Sequence, residues 1–378
     1  MLKIPILIEP NYINSPWCLE TLSGIRQECS RKKYKMYFLD NFLDEKEGMS
    51  DFSDEFCIVI GTSATWVPKA VRALALNGKK SVVVSYRLKE TFAGQSMVLM
   101  NHYTAMQDLI SYLCAAERSR IALYGINPNS SADLIKQQCF LESEIIQAGK
   151  QDIYPNLASL ENCFQHFRKH VSFYNAVICS TDIVAVSLLR RLHAEGIRVP
   201  EDLYLAGFGS SMISQLTAPS LTTASLDHYE LGRQAVNIFA YLARQTGAVS
   251  VTVHVRCQIA IRGSTAYFGP VQSVKEVPDH PISLDVNFYA DNEATSILSL
   301  DTLLADADRL DLCILLGIRN GKTIESLADQ LDASDATIRY RLHRLLTHNS
   351  LPDRTQLFRL LENYLRPDAL QDAIDMKP

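Results

Sequence analysis

Over the first 265 positions, apolar residues fall into two alternating kinds of run. Short continuous runs cover Ile4–Ile8, Lys35–Leu39, Phe56–Ile60, Ser81–Ser85 and Arg120–Tyr124, and each predicts a buried strand. Between them, apolar residues recur at helical spacing near Cys18–Cys29, Val67–Leu76 and Tyr103–Glu117. The second half repeats the rhythm, with a helix over Ala132–Ala148, a strand at Ile153–Tyr154, a helix over Leu160–His170 and a strand at Ala176–Cys179. A helix with Ile183, Val186, Leu189 and Leu192 on one face then stops at Gly196, and an apolar strand runs from Leu203 to Phe208. Short strands separated by helices imply βαβ units and parallel sheets covered on both faces. Two such arrays in tandem predict an α/β fold of two Rossmann-like lobes, with ligands meeting the loops at the carboxyl ends of the strands.

The pattern changes after Thr265. Pro270, Pro278 and Pro281, with Lys275 and Glu276 among them, mark a linker. A helix beginning near Asp291 carries Ile297, Leu300, Leu303 and Leu304 on one face and suits a spacer, a dimer contact or simple packing. Four helical segments follow, about Arg309–Ile318 ending at Asn320 and Gly321, Thr323–Leu331, Ser334–Leu346 and Asp353–Leu365. Ala328 lets the third of these cross close to the second, and Leu327, Leu331, Ile338, Leu342 and Leu345 form a shared core. That is helix-turn-helix geometry and predicts a small all-α DNA-binding domain over 306–370, after a linker and spacer helix over 266–305. The third helix leaves Arg339, Tyr340, Arg341 and Arg344 outside its apolar stripe, with Ser334 and Thr337 at its start. Arginine suits both phosphates and guanine edges, so these six residues are the DNA-binding candidates. An ordinary helical hairpin with a solvated basic face is the plain alternative.

Composition narrows the classes. A chain of 378 residues with 47% hydrophobic and 21% charged residues is ordinary for globular domains and long enough for two or three of them. Its net charge of −5 argues against a general nucleic-acid coat, but between Arg309 and Arg366 nine Lys/Arg stand against seven Asp/Glu. That mild local excess implies modest DNA affinity per subunit and a requirement for a dimer. No run approaches the ~18 apolar residues of a membrane span, and Met1–Glu9 reads as a first buried strand, not a secretory signal. The nine scattered cysteines form no CxxC pair, which fits reduced core thiols in the cytoplasm and argues against a metal site. There is no Gly-Lys-Ser/Thr phosphate loop, no HExxH and no GxSxG; His193 and His228 are isolated and read as surface or loop residues. No enzyme and no cofactor are expected. In the lobes, Trp17 and Trp66 both fall in loops after strands, where an aromatic face beside polar groups suits a pyranose ring; packing between elements suits them equally.

The segment Ser180–Thr223 combines a helix, Val199-Pro200-Glu201-Asp202, the loop Gly207-Phe208-Gly209 and Pro219-Ser220-Leu221-Thr222-Thr223. In order and spacing it resembles the C-terminal subdomain of the LacI/GalR-type sugar-binding regulators. Ile6–Pro10 with Ser15–Trp17, Cys57–Ser63, Arg118–Gly125 and Val255–Thr265 extend the resemblance over about 1–265. It implies a type I periplasmic-binding-protein-like fold, with lobe 1 at about 1–117 and 224–248 and lobe 2 at about 118–223 and 249–265. Three crossings near 117–119, 222–226 and 248–252 would form a hinge, with an effector in the interlobe cleft. Ligand-binding candidates are Trp17, Ser63, Trp66, Lys136, Asp182 and Ser210. Lys136 falls where many members have an effector-binding Arg, and Asp182 matches the Asp of an Asn-Asp pair. A surface lysine and a helix N-cap are the respective alternatives. Gly209 stands where many members carry a sugar-binding Asp. Those regulators normally begin with a helix-turn-helix, whereas this sequence starts at the first sheet strand. The spacing of Thr323, Ile324, Leu327, Ala328, Leu331, Ser334, Thr337, Ile338, Arg339, Arg341 and Leu342 resembles the LuxR-type four-helix domain over about Asp308–Leu365. The expectation is a cytoplasmic, homodimeric, ligand-responsive transcriptional regulator. It would bind a sugar or sugar derivative and double-stranded DNA, without cofactor, metal or membrane. A non-enzymatic sensor whose tail binds protein and a transport-type solute-binding protein are the alternatives.

Overall fold

The computed structural model describes residues 2–39, 55–85, 95–245, 249–266, 291–349 and 351–376. They form two compact units, each with a six-stranded sheet at its centre.

Unit 1 comprises Met1–Met106, Pro128–Cys139 and Leu226–Gln258. Its strands are β1 (Lys3–Ile8), β2 (Lys35–Phe38), β3 (Phe56–Ile60), β4 (Lys80–Val84), β5 (Gln95–Met100) and β11 (Thr252–Val255), in the order β11-β5-β4-β3-β1-β2. All neighbours are parallel. Side chains alternate faces along a strand. Ile58 and Ile60 pack toward α1 (Pro16–Lys32) and α8 (His228–Leu242), and Cys57 and Val59 toward α2 (Trp66–Leu76). Helices α1 and α8 cross at Gly24 and Gly232. A Cβ on either would lie 2.0 Å from a carbonyl oxygen of the other helix, so only glycine admits this approach.

Unit 2 comprises Gln107–Asn127, Phe140–Ser225 and Ile259–Pro378. Its strands are β6 (Ile121–Ile126), β7 (Ile153–Pro155), β8 (Ala176–Cys179), β9 (Tyr204–Gly209), β10 (Thr222–Ser225) and β12 (Gln258–Ala260), in the equivalent order β12-β10-β9-β8-β6-β7. Helices α3 (His102–Ala115), α4 (Ser131–Leu141), α5 (Leu160–Phe167), α6 (Asp182–Ala194) and the short α7 (Met212–Leu216) complete the two lobes.

The helical tail is continuous with unit 2. It consists of α9 (Asn292–Asp306), α10 (Arg309–Arg319), α11 (Ile324–Gln330), α12 (Asp335–His348), α13 (Arg354–Tyr364) and α14 (Ala369–Met376). Leu189 and Leu192 of α6 share one buried cluster with Ile297, Leu300 and Leu303 of α9 and Leu357 and Leu361 of α13. Polar ties reinforce it. Asp291 caps α9 and accepts a 2.6 Å hydrogen bond from Leu160 N, and Arg191 pairs with both Glu293 and Glu161.

Several boundaries differ from the sequence reading. Residues 249–258 belong to unit 1, because β11 pairs in register with β5. Pro128–Cys139 also groups with unit 1, where Ser130 bridges to Ser63. Helix α4 stops at Leu141, short of Ala148; Ser143 turns its hydroxyl to Ile145 N, a local bond that competes with helix continuation. Strands β5 and β10 and helices α7, α8 and α14 were not anticipated. The prolines at 270, 278 and 281, with Lys275 and Glu276, lie outside the described residues. The helix beyond them, α9, is a packing helix.

Candidate functional site

In unit 1 the chain leaves β1 at Glu9, a buried carboxylate the sequence reading passed over. Its Oε2 accepts from Thr62 N at 3.0 Å and Ser63 N at 3.2 Å, and the Ser63 hydroxyl donates to Oε1. Glu9 thus fixes the loop after β3 against the loop after β1. Its position at the carboxyl end of a strand was the available signal. Burial, with the nearby carboxylates of Glu9 and Asp133, pushes the Tyr12 phenol up to about 12. Lys136 is no surface lysine: it is 2% exposed and donates to Asp133 Oδ1 at 2.8 Å. Burial, together with the charges of Lys136 and His228, holds His102 well below the usual imidazole range and therefore neutral. Trp17 sits in the first turn of α1, 5.7 Å from the Tyr12 ring and 6.3 Å from His228, and packs against the unit 1 core. Trp66 opens α2 and is likewise half-buried against its core. His228 is the first residue of α8, 3.6 Å from Glu20, and not a loop residue.

In unit 2, Thr181 caps α6 through Val184 N, so Asp182 is not the N-cap. Asp182 is buried inside the first turn, where its Oδ1 accepts from the Thr223 hydroxyl at 2.6 Å and its Oδ2 from Ser211 N at 2.8 Å. Burial raises its carboxyl above the ordinary value, against the lowering effect of Thr223, Ser211, Ser214 and Arg262. Ser210 adopts φ +57°, donates its amide to Thr223 Oγ1 and accepts from Arg262 Nη2 at 2.8 Å. Gly209 has φ +136°, a conformation side-chain-bearing residues rarely adopt. An Asp at this place would require a different loop. Arg262, bound also to Leu221 O, was not selected from the sequence. The two sets supply hydroxyls, buried carboxylates and cations at strand ends. Among the described residues no group of His, Cys, Asp and Glu could hold a metal ion, and no helix is long and apolar enough to cross a membrane.

The tail places α11 and α12 together, with Leu327, Ala328, Ile338, Leu342 and Leu345 buried between them and α10. Asp332 takes φ +49° in the connecting turn, and Ser334 caps α12 through Thr337 N. The three arginine candidates and Tyr340 divide. Arg341 binds Asp308 at 2.6 Å and Asp311 at 2.9 Å, and Arg344 binds the other oxygen of Asp311 at 2.5 Å. Asp311 is 0% exposed, so both arginines brace α12 on α10. Arg339 reaches an exposed Glu325 at 3.4 Å, and Tyr340 is 67% exposed. Sequence spacing showed which residues avoid the stripe but not which meet Asp308 and Asp311.

Two parallel-sheet lobes with this strand order define a periplasmic-binding-protein-like fold, and residues 111–265 match the model of the periplasmic binding protein-like domain. The chain is similar to the HTH-type transcriptional repressor CytR of Escherichia coli strain K12, 34% identical over 90 residues, which is 24% of this chain and 26% of that one. It is similar also to the sucrose operon repressor of Escherichia coli, 28% identical over 205 residues, 47% of this chain and 60% of that one. The chain thus spans about a quarter of the one relative and under two thirds of the other. Among solved structures, a complex of the transcriptional regulator CelR with cellobiose superposes with TM-score 0.58 at 15% identity, covering 69% of this chain and 84% of that one. A LacI family transcriptional regulator from Enterococcus faecium with bound ribose gives 0.56 at 18% identity, covering 70% and 98%.

Proposed function

We propose that the chain is a cytoplasmic, ligand-responsive transcriptional regulator that senses a small carbohydrate-derived effector with its lobes and binds double-stranded DNA, as a homodimer, through α11 and α12. The observation that carries this reading is the combination of a lobe architecture found in sugar-bound regulators with a helix pair whose outer face presents Arg339 and Tyr340. The effector candidates remain Trp17, Ser63, Trp66, Lys136, Asp182 and Ser210, now with Glu9, Tyr12 and Arg262. Hydroxyl-rich ligands match sets that combine serine and threonine hydroxyls with carboxylates and cations at strand ends. At the DNA, Arg339 and Tyr340 make the contacts, with Ser334 and Thr337 at the helix start. Arg341 and Arg344 act through Asp308 and Asp311 by fixing the pose of α12.

The test has two arms. Calorimetric titration of the full chain against neutral mono- and disaccharides is expected to find a binder that Lys136→Ala abolishes. Capture and sequencing of genomic fragments on the full chain is expected to enrich discrete sites that the double variant Arg339→Ala, Tyr340→Ala loses. Binding of an amino acid or nucleobase, and of no sugar, would overturn the carbohydrate reading. A second reading, a tail that binds protein, is favoured by one observation: Glu325 and Asp329 of α11, Asp332 of the turn and Asp335 of α12 are all exposed acidic residues. Sugar binding without any enriched DNA site would select it.

A further inference from the structure

We infer that Asp301, on α9, is the contact through which the conformation of the Gly209–Ser211 loop reaches the C-terminal helices. The connection is continuous within unit 2. Thr223 and Ser211 N hold the two oxygens of Asp182. Ser211 is also the N-cap of α7, accepting from Ser214 N. One residue into α7, Ile213 N donates to Asp301 Oδ1 at 2.7 Å, a buried bond spanning 88 residues of sequence. Helix α9 continues from Asp301 to Asp306, and Ala307 joins it to Asp308, the cap of α10. Asp308 and Asp311 then grip Arg341 and Arg344 of α12.

The Thr223–Asp182 and Ile213–Asp301 bonds are buried and the Ser211 bonds between them are part-buried, so water has little access with which to absorb a shift along this stretch. A loop that rearranges around Asp182 must carry Ser211 and α7 with it. α7 is a single five-residue turn capped by Ser211 itself, so a shift of Ser211 moves the start of the helix. Its carboxylate partner then either follows, moving α9, or is left buried without a donor, which packed interiors resist. A second tie joins the same elements: Arg366 N, just beyond α13, donates to Leu216 O at the end of α7. α7 therefore touches the tail at both ends, and Asp301 is the charged one. Coupling of this kind requires a physically contiguous element that both sites bias, and α7 with Asp301 is that element.

As a regulatory device the relay rests on the proposed function, but its test needs neither effector nor DNA. Hydrogen exchange of the full chain, read by mass spectrometry, compares wild type with Thr223→Val, which deletes the hydroxyl on Asp182 and keeps the side chain's shape. The expected result is severalfold faster exchange in 208–216 and, with it, in α9, α10 and the start of α12. In an Asp301→Leu background, Thr223→Val should still loosen 208–216 but no longer alter α9–α12. Asp301→Asn, which keeps an acceptor and loses the charge, should transmit part of the change and serves where the leucine variant does not fold. Faster exchange confined to 208–216 in the Thr223→Val protein would overturn the inference. So would an equal response of the tail with and without Asp301. Failure here leaves sugar and DNA binding standing, and failure of those leaves the relay standing.

Discussion

Helices α1 and α6 lie on equivalent sheets and bury very different amounts of themselves. α1 has an outer row of exposed positions, Leu19, Glu20, Ser23, Arg26, Gln27 and Ser30, as a surface helix should. In α6, ten of thirteen residues are buried, every one from Asp182 to Leu192 except Arg190. Its sequence is apolar on all sides, with Val184, Ala185 and Leu188 adding to the stripe of Ile183, Val186, Leu189 and Leu192. A helix of that kind needs cover on both faces, and the tail helices α9 and α13 supply it. The tail is therefore a layer of unit 2 and not a module on a string.

Substitutions probe this contrast directly. The largest effect is expected from Leu300→Ala, which opens a cavity under α6 and should cost about 2–5 kcal/mol; Leu19→Ala on the outer row of α1 should stay within about 0.5 kcal/mol. Thermal melts of the two variants check the pair, and equal small shifts would make the tail dispensable. Asp311→Ala removes the partner of two arginines. Because those guanidiniums are partly exposed and can be rehydrated, the loss should be smaller, about 1–2 kcal/mol, with DNA capture also weakened.

The next effect is one of pH. Burial, with nearby Asp182, raises the Asp301 carboxyl from 3.8 to about 6, against the lowering effect of the Ile213 and Met212 amides. The folded state then holds its proton in a range where the unfolded chain has released it. Stability from this group is therefore full below about pH 4 and is lost as pH rises through about 6. Urea titrations should show wild type losing stability across that window and Asp301→Asn showing a flatter profile. The smallest effect on stability belongs to Arg339→Ala, within about 0.5 kcal/mol for an exposed pair. In the same protein, enrichment of DNA sites should fall.

The alternation of strands and helices was legible where a buried strand is a continuous apolar run, as in β3, β6, β8 and β9, and α10–α13 could also be read locally. Strand β5 was not, since Gln95 and Ser96 break its apolar start, and neither was α8, whose buried face depends on the glycine crossing with α1. At the candidate site, Lys136 and Asp182 could be picked by position, but their partners Asp133, Thr223 and Ser211 come from chain separations that no local pattern encodes. The same holds for Arg341 and Arg344, whose freedom was assumed from spacing and is removed by an acidic cap about thirty residues upstream. The apolar back of α6 was visible all along; reading only its strongest stripe concealed the docking of the tail.

The most direct test of that docking is pulse proteolysis of the full chain across a urea titration, with fragments identified by mass. If the tail is a layer of unit 2, material carrying 140–225 and material carrying 291–376 must lose protection at the same urea concentration, wherever the chain is first cut. A protected fragment holding 140–225 that outlasts the tail would contradict it.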